Sequence, residues 1–173
     1  MRSEQVNPLK SHAYELGGWM LFLSAAVILA ALAFEYIGEY APCPLCLVQR
    51  YAYYASVPLL FVSLILLSAD RARIAALVFF LVSLAFLFNS GLGVYQAGAE
   101  YGFWAGPQSC SGGQEITPTA GALLGELQKT KVPRCDQPEW WFLGLSFAGW
   151  NVLISLVISI GTLKAAFAAA AHR

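Results

Sequence analysis

Two cysteines stand two residues apart in the stretch Pro42-Cys43-Pro44-Leu45-Cys46-Leu47-Val48-Gln49-Arg50. Such a pair is chemically a redox dithiol, half of a metal clip, or chance, and its surroundings decide among these. Pro42 and Pro44 keep the residues before them, Ala41 and Cys43, out of the helical region, so a helix is expected to begin at Pro44, which suits the first helical position. Cys46 then lies in the first turn. The partial positive charge of free N–H groups there favours thiolate over thiol, a general route to a reactive cysteine. Arg50 follows Cys46 by four residues and projects from the same helical face about one turn away. It serves either as a cation beside the thiolate or as an interfacial anchor reaching for headgroups.

The chain has two more cysteines, Cys110 and Cys135. Together the four residues make two bland readings available. A zinc site would take four thiolates or some histidine, but the only histidines, His12 and His172, fall outside the segments that carry the cysteines, and the second pair is widely spaced. A structural disulfide between Cys110 and Cys135 would close a loop whose constraint stabilises the fold by roughly 3 to 4 kcal/mol. With an exposed C-x-x-C on the same side of a membrane, exchange between two disulfides is the more economical reading, because thiolate attack on a neighbouring disulfide needs only access and geometry.

The elements that must position these sulfurs are apolar. Of 173 residues, 58% are hydrophobic and 12% charged, with zero formal net charge, which excludes both a disordered chain and an ordinary soluble domain. Charge-free runs extend over Gly17 to Phe34, Tyr51 to Ala69, Ile74 to Ala99 and Trp140 to Leu163, the shortest being 18 residues. At about 1.5 Å per residue each matches a hydrocarbon core about 30 Å thick, and lipid requires spans of this kind to be helices. The expectation is an all-α membrane protein: a four-transmembrane-helix bundle in a single membrane domain over residues 1–173, with spans at about 17–37, 47–69, 74–97 and 140–163. Outer loops are expected at about 38–46 and 98–139. Ala31-Leu32-Ala33 imitates a signal cleavage site, but the apolar core is too long and a second span follows at once.

Orientation follows from Lys and Arg. Arg2, Lys10, Arg71, Arg73, Lys164 and Arg173 all fall on one face of a four-span chain, which is therefore read as cytoplasmic, with both termini inside. The opposite face has Arg50, Lys129, Lys131 and Arg134, offset by Glu35, Glu39, Glu100, Glu115, Glu126, Asp136 and Glu139. All four cysteines lie on that outer face, as expected for disulfide chemistry in an oxidising compartment. In the long loop, Thr117-Pro118 begins a pattern in which Ala120, Leu123, Leu124 and Leu127 recur at helical spacing. It predicts a short amphipathic helix on the membrane surface. Trp104, Trp140 and Trp141 mark the interface. The pattern gives no sign of nucleic-acid binding.

The residues resemble the disulfide bond formation protein B family, quinone-linked thiol oxidases of the bacterial inner membrane. The resemblance rests on CPLCLVQR at 43–50, GVYQAGAEYGFWAGPQSC at 93–110 and VPRCDQPEWWFLGLSFAGWN at 132–151, in order, and extends from Trp19 to Leu163. It implies a thiol:quinone oxidoreductase that takes electrons from a periplasmic thioredoxin-like dithiol oxidase (DsbA type) and gives them to a membrane quinone, ubiquinone or menaquinone. It also implies that Cys43 and Cys46 are the quinone-proximal pair, with Cys46 nearest the ring, that Cys110 and Cys135 meet the partner, and that Arg50 stands beside the quinone. No metal is implied. Gln96 stands where close relatives often have histidine, and Gln49 replaces an acid seen in some members. A structural or metal-binding membrane protein, and a thiol–quinone enzyme of the vitamin-K-reductase type with another partner, are the alternatives.

Overall fold

The computed structural model describes residues 8–40, 42–106 and 141–171. Within them lie four long apolar helices: α1 (Pro8–Tyr36), α2 (Pro44–Ser68), α3 (Ala72–Glu100) and α4 (Phe147–Ala171). Each is long and apolar enough to cross a membrane, so the chain is a multi-pass membrane protein. The helices pack as a bundle in which α1 meets α2 and α4, and α3 meets α2 and α4. The segment predicted to carry an amphipathic helix, from Thr117 to Leu127, lies outside the described residues, as do Cys110 and Cys135.

Local signals explain the ends. Pro44 opens α2, and Cys43 is its N-cap, with extended backbone and a sulfur that accepts from the Cys46 N–H at 3.1 Å. The connection from α2 to α3 is very short; Asp70 takes a left-handed φ of 56°, and the Arg71 N–H returns to the Leu66 carbonyl at 2.8 Å. An ion pair between Lys10 Nζ and Asp70 Oδ1, 2.5 Å long, ties α1 to that turn. The apolar run from Trp140 does not become helix at once. Residues Trp141–Phe142 (β1) and Leu145–Ser146 (β2) pair antiparallel, joined by Leu143 and Gly144, both with positive φ. Two left-handed residues in a two-residue turn match the twist of paired strands. Ser146 Oγ then accepts from the Gly149 N–H at 3.2 Å, which caps the start of α4.

The interior inverts the soluble pattern. Small residues line α4, where Ala148, Gly149, Ser155, Ser159, Gly161 and Ala165 are buried, while Phe22, Leu29, Phe61, Phe88 and Phe167 are exposed. Lipid is as apolar as leucine, so close backbone approach and interhelical hydrogen bonds hold such helices together. Ser83 Oγ donates to the Ser159 carbonyl and Ser159 Oγ to the Ser83 carbonyl, both at 2.9 Å. A Cβ added at Gly93 would stand 2.8 Å from Val152 Cγ2 and 3.3 Å from the Ala148 carbonyl oxygen, so α3 and α4 are in near-backbone contact there. Phe79 and Phe86 fill the remaining centre.

Candidate functional site

Cys43 and Cys46 are joined as a disulfide, their Cα atoms 5.1 Å apart. The short spacing at a helix start makes this easy: the N-cap sulfur is already turned towards the first-turn backbone, where it meets the Cys46 N–H. Cys43 is buried and Cys46 partly exposed, so Cys46 is the more reachable of the two. The first-turn position expected for Cys46 is the one observed.

Arg50 lies one turn further along α2, where its guanidinium reaches across to α1. Nη1 pairs with Glu35 Oε2 in a short ion pair, and Nη2 donates to the Ala31 carbonyl at 3.3 Å. The side chains retain only 14% and 25% exposure, respectively. Spacing alone suggested either a cation beneath the thiolate or an interfacial anchor. The structure gives Arg50 a carboxylate partner, and Glu35 had entered the sequence reading only as one of the outer acids.

A polar cluster that the sequence reading did not assemble surrounds the disulfide on its inner side. Gln96 of α3 lies with Nε2 3.3 Å from Cys46 Sγ, 3.5 Å from Cys43 Sγ and 3.2 Å from Glu100 Oε1. Its Oε1 accepts from Gln49 Nε2 at 2.7 Å. Gln49 in turn accepts from Asn151 Nδ2 of α4 at 2.5 Å, and Asn151 Oδ1 accepts from Tyr53 Oη at 2.7 Å. Gln49, Tyr53 and Gln96 are at most 5% exposed. Buried amides demand partners, and these have found each other across three helices. A signal was present in the sequence: Gln49, Gln96 and Asn151 are uncharged polar residues placed within or at the edge of otherwise apolar runs.

At the mouth, Trp104 folds back over the last turn of α3. Its Nε1 donates to the Tyr95 carbonyl at 2.8 Å, and its ring stacks on Tyr95 at 6.1 Å between centroids. Gly98 permits this, since a Cβ there would come within 2.0 Å of the indole. Tyr101 Oη donates to the Gly144 carbonyl at 2.9 Å, fastening the end of α3 to the β1–β2 hairpin. The arrangement holds a disulfide at the start of an apolar helix, next to a paired guanidinium and an amide donor.

Comparison with known proteins agrees with this chemistry. Residues 15–165 match the family model described as disulfide bond formation protein DsbB. A disulfide bond formation protein B of Herminiimonas arsenicoxydans is 31% identical over 147 residues, which cover 84% of this chain and 90% of the relative. One of Polaromonas sp. is 29% identical over 154 residues, covering 82% and 85%. An uncharacterized protein of Rickettsia prowazekii is 23% identical over 160 residues, covering 90% and 89%. No solved structure matches the chain. With its C-x-x-C disulfide seated at the start of a membrane-spanning helix and the family match running through all four helices, the chain belongs to the disulfide bond formation protein DsbB family.

Proposed function

We propose that this chain is a membrane thiol:quinone oxidoreductase that reoxidises a periplasmic thioredoxin-like dithiol oxidase of the DsbA type and passes the electrons to a membrane quinone, ubiquinone or menaquinone. It works in a bacterial inner membrane with both termini cytoplasmic and the cysteines outside. The observation that carries this reading is the Cys43–Cys46 disulfide at the first turn of α2, with the sulfur of the more exposed cysteine at the edge of an apolar span.

The roles follow from the chemistry of exchange. A thiolate of the partner attacks the Cys110–Cys135 disulfide, joining one sulfur and expelling the other as thiolate, and the partner's second thiol then releases its own disulfide. The dithiol left on Cys110 and Cys135 attacks Cys43–Cys46 in the same way, so two electrons move inward and no atom is lost. The residues around Cys46 suit a lipid-soluble ring: Leu47, Val48 and Tyr51 are exposed on α2, and the Arg50 guanidinium offers directional donors to an oxygen. When bound there, a quinone supplies the two-electron oxidation that restores the Cys43–Cys46 disulfide. The chain's part is to present the sulfur at the membrane edge and to meet developing negative charge with fixed donors.

The test is quinone absorbance while reduced partner is added to purified protein in lipid. Loss of the quinone band at catalytic protein levels is expected, with one partner disulfide formed per quinone consumed. Bound zinc with no quinone consumption would overturn the reading and return the cysteines to a structural role.

A further inference from the structure

The amides of the site form one directed chain. Tyr53 Oη donates to Asn151, Asn151 Nδ2 to Gln49, Gln49 Nε2 to Gln96, and Gln96 Nε2 reaches both sulfurs. Its direction is set at the sulfur end. A disulfide sulfur can only accept, so Gln96 must turn its NH2 towards the two sulfurs. Its carbonyl then faces Gln49, which must answer with its own NH2 and turn its carbonyl to Asn151. At the far end Asn151 Oδ1 meets donors: Tyr53 Oη at 2.7 Å and Asn89 Nδ2 at 3.4 Å. Asn89 also donates to Ser155 Oγ at 3.1 Å. Every dipole in the row therefore points its N–H or O–H end towards the disulfide.

We propose that this row is a thiolate-stabilising device: Gln96 presents the N–H that meets the charge appearing on sulfur when the disulfide opens, and Gln49, Asn151 and Tyr53 are positioning residues that hold it there. The inference rests on the exchange chemistry proposed above. When an incoming thiolate attacks, the S–S bond breaks, one sulfur bonds to the attacker and the other keeps the electron pair as thiolate. Gln96 Nε2 lies within 3.5 Å of both sulfurs and so serves whichever one leaves. A buried, preorganised donor aimed at developing charge is worth more than the same donor in water, and aligned bonds polarise one another. The row holds that N–H in place by engaging the Gln96 carbonyl with the Gln49 amide on the other side.

The test reads the sulfurs directly, without quinone or partner, so its failure is separable from failure of the proposed function. In full-length protein carrying Cys110→Ser and Cys135→Ser, the remaining pair is reduced and alkylated with iodoacetamide across a range of pH, followed by mass. Gln96→Met keeps volume and removes the donor; Gln49→Met frees the Gln96 amide; Tyr53→Phe removes the far donor. Removal of a preorganised donor to a developing anion costs about 10²-fold or more in a dry site. For Gln96→Met at the membrane edge we expect about a tenfold slower alkylation at pH 7 and a curve moved to higher pH. Gln49→Met should give a smaller shift in the same direction, and Tyr53→Phe a smaller one still. Unchanged alkylation in Gln96→Met overturns the proposal. So does a lowered unfolding temperature in Gln49→Met and Tyr53→Phe with the parent's pH curve, which makes the row structural only. Should Gln96→Met fail to fold, the Gln49→Met curve alone decides.

Discussion

Breaking the Arg50–Glu35 pair separates a structural from an incidental contact. An exposed ion pair contributes about 0 to 1 kcal/mol, and removing one partner of a fully buried pair costs about 3 to 5 kcal/mol. With side chains 14% and 25% exposed, this pair stands between those limits. Arg50 also keeps the Ala31 carbonyl as a second acceptor, which softens the loss of Glu35. We therefore expect Glu35→Gln and Arg50→Gln each to cost about 1 to 3 kcal/mol. At about 2 to 4 °C per kcal/mol for a chain of this size, that lowers the unfolding temperature by about 2 to 12 °C. The double variant should lose little more than either single one, leaving a coupling of about 1 kcal/mol or more in the cycle. The assay is thermal unfolding in detergent or nanodiscs, repeated at low and high salt. A partly buried pair is screened little, so the loss should persist at high salt. The exposed Lys10–Asp70 pair provides the contrast: Asp70→Asn should cost at most about 1 kcal/mol, and less with added salt. Additive single losses, or losses that vanish with salt, would refute the assignment of Arg50 to Glu35 as a fixed pair. In the same proteins, the proposed function predicts that Arg50→Lys weakens apparent quinone affinity while sparing exchange in the loop; Arg50→Gln should be the more severe, at about 10²-fold or less in turnover.

Three other outcomes are expected. Cys110→Ser or Cys135→Ser should stop oxidation of the partner protein yet leave Cys43–Cys46 reactive with quinone when a small dithiol is the donor, checked by quinone absorbance. Gly93→Ala should destabilise the bundle by about 1 to 3 kcal/mol, because the new methyl meets Val152 and the Ala148 carbonyl, whereas Gly91→Ala, with open space at its Cβ, should be neutral or gain up to about 1 kcal/mol; paired melting curves decide this. Membrane-impermeant thiol reagents applied to intact spheroplasts after reduction should label the cysteines, and labelling only after the membrane is opened would reverse the proposed orientation.

What the sequence made legible were the features that depend on local rules. Charge-free runs announced the four helices, because lipid forbids unpaired backbone. Pro44 announced the start of α2 and so the place of Cys46. The start of α4 was harder to read: residues 141–146 are as apolar as a span, and the hairpin depends on left-handed Leu143 as well as Gly144, a conformation a leucine does not advertise. The polar row was harder still. Gln49, Gln96 and Asn151 are separated by up to 102 residues, and no periodicity links them; only the packing of α2, α3 and α4 does. Arg50 was visible as a cation but its partner was not, since Glu35 belongs to another helix.

The small-residue lining of α4 also decides which substitutions the chain can survive. In a water-soluble domain the centre is made of large side chains, and truncation is the usual injury. Here the inward face of α4 is already near its minimum volume: Ala165 and Ala169 are fully buried and Gly161 abuts Met20. On that face injury comes from addition, since a side chain larger than alanine at Ala165 or Ala169 must displace packed neighbours. The outward phenylalanines and leucines, by contrast, face a fluid that accepts any apolar shape. A map of tolerated changes would therefore be permissive at the large residues that face outward and strict at the smallest ones that face inward, and drift over generations should recolour the surface while leaving the buried alanines and glycines of α4 in place.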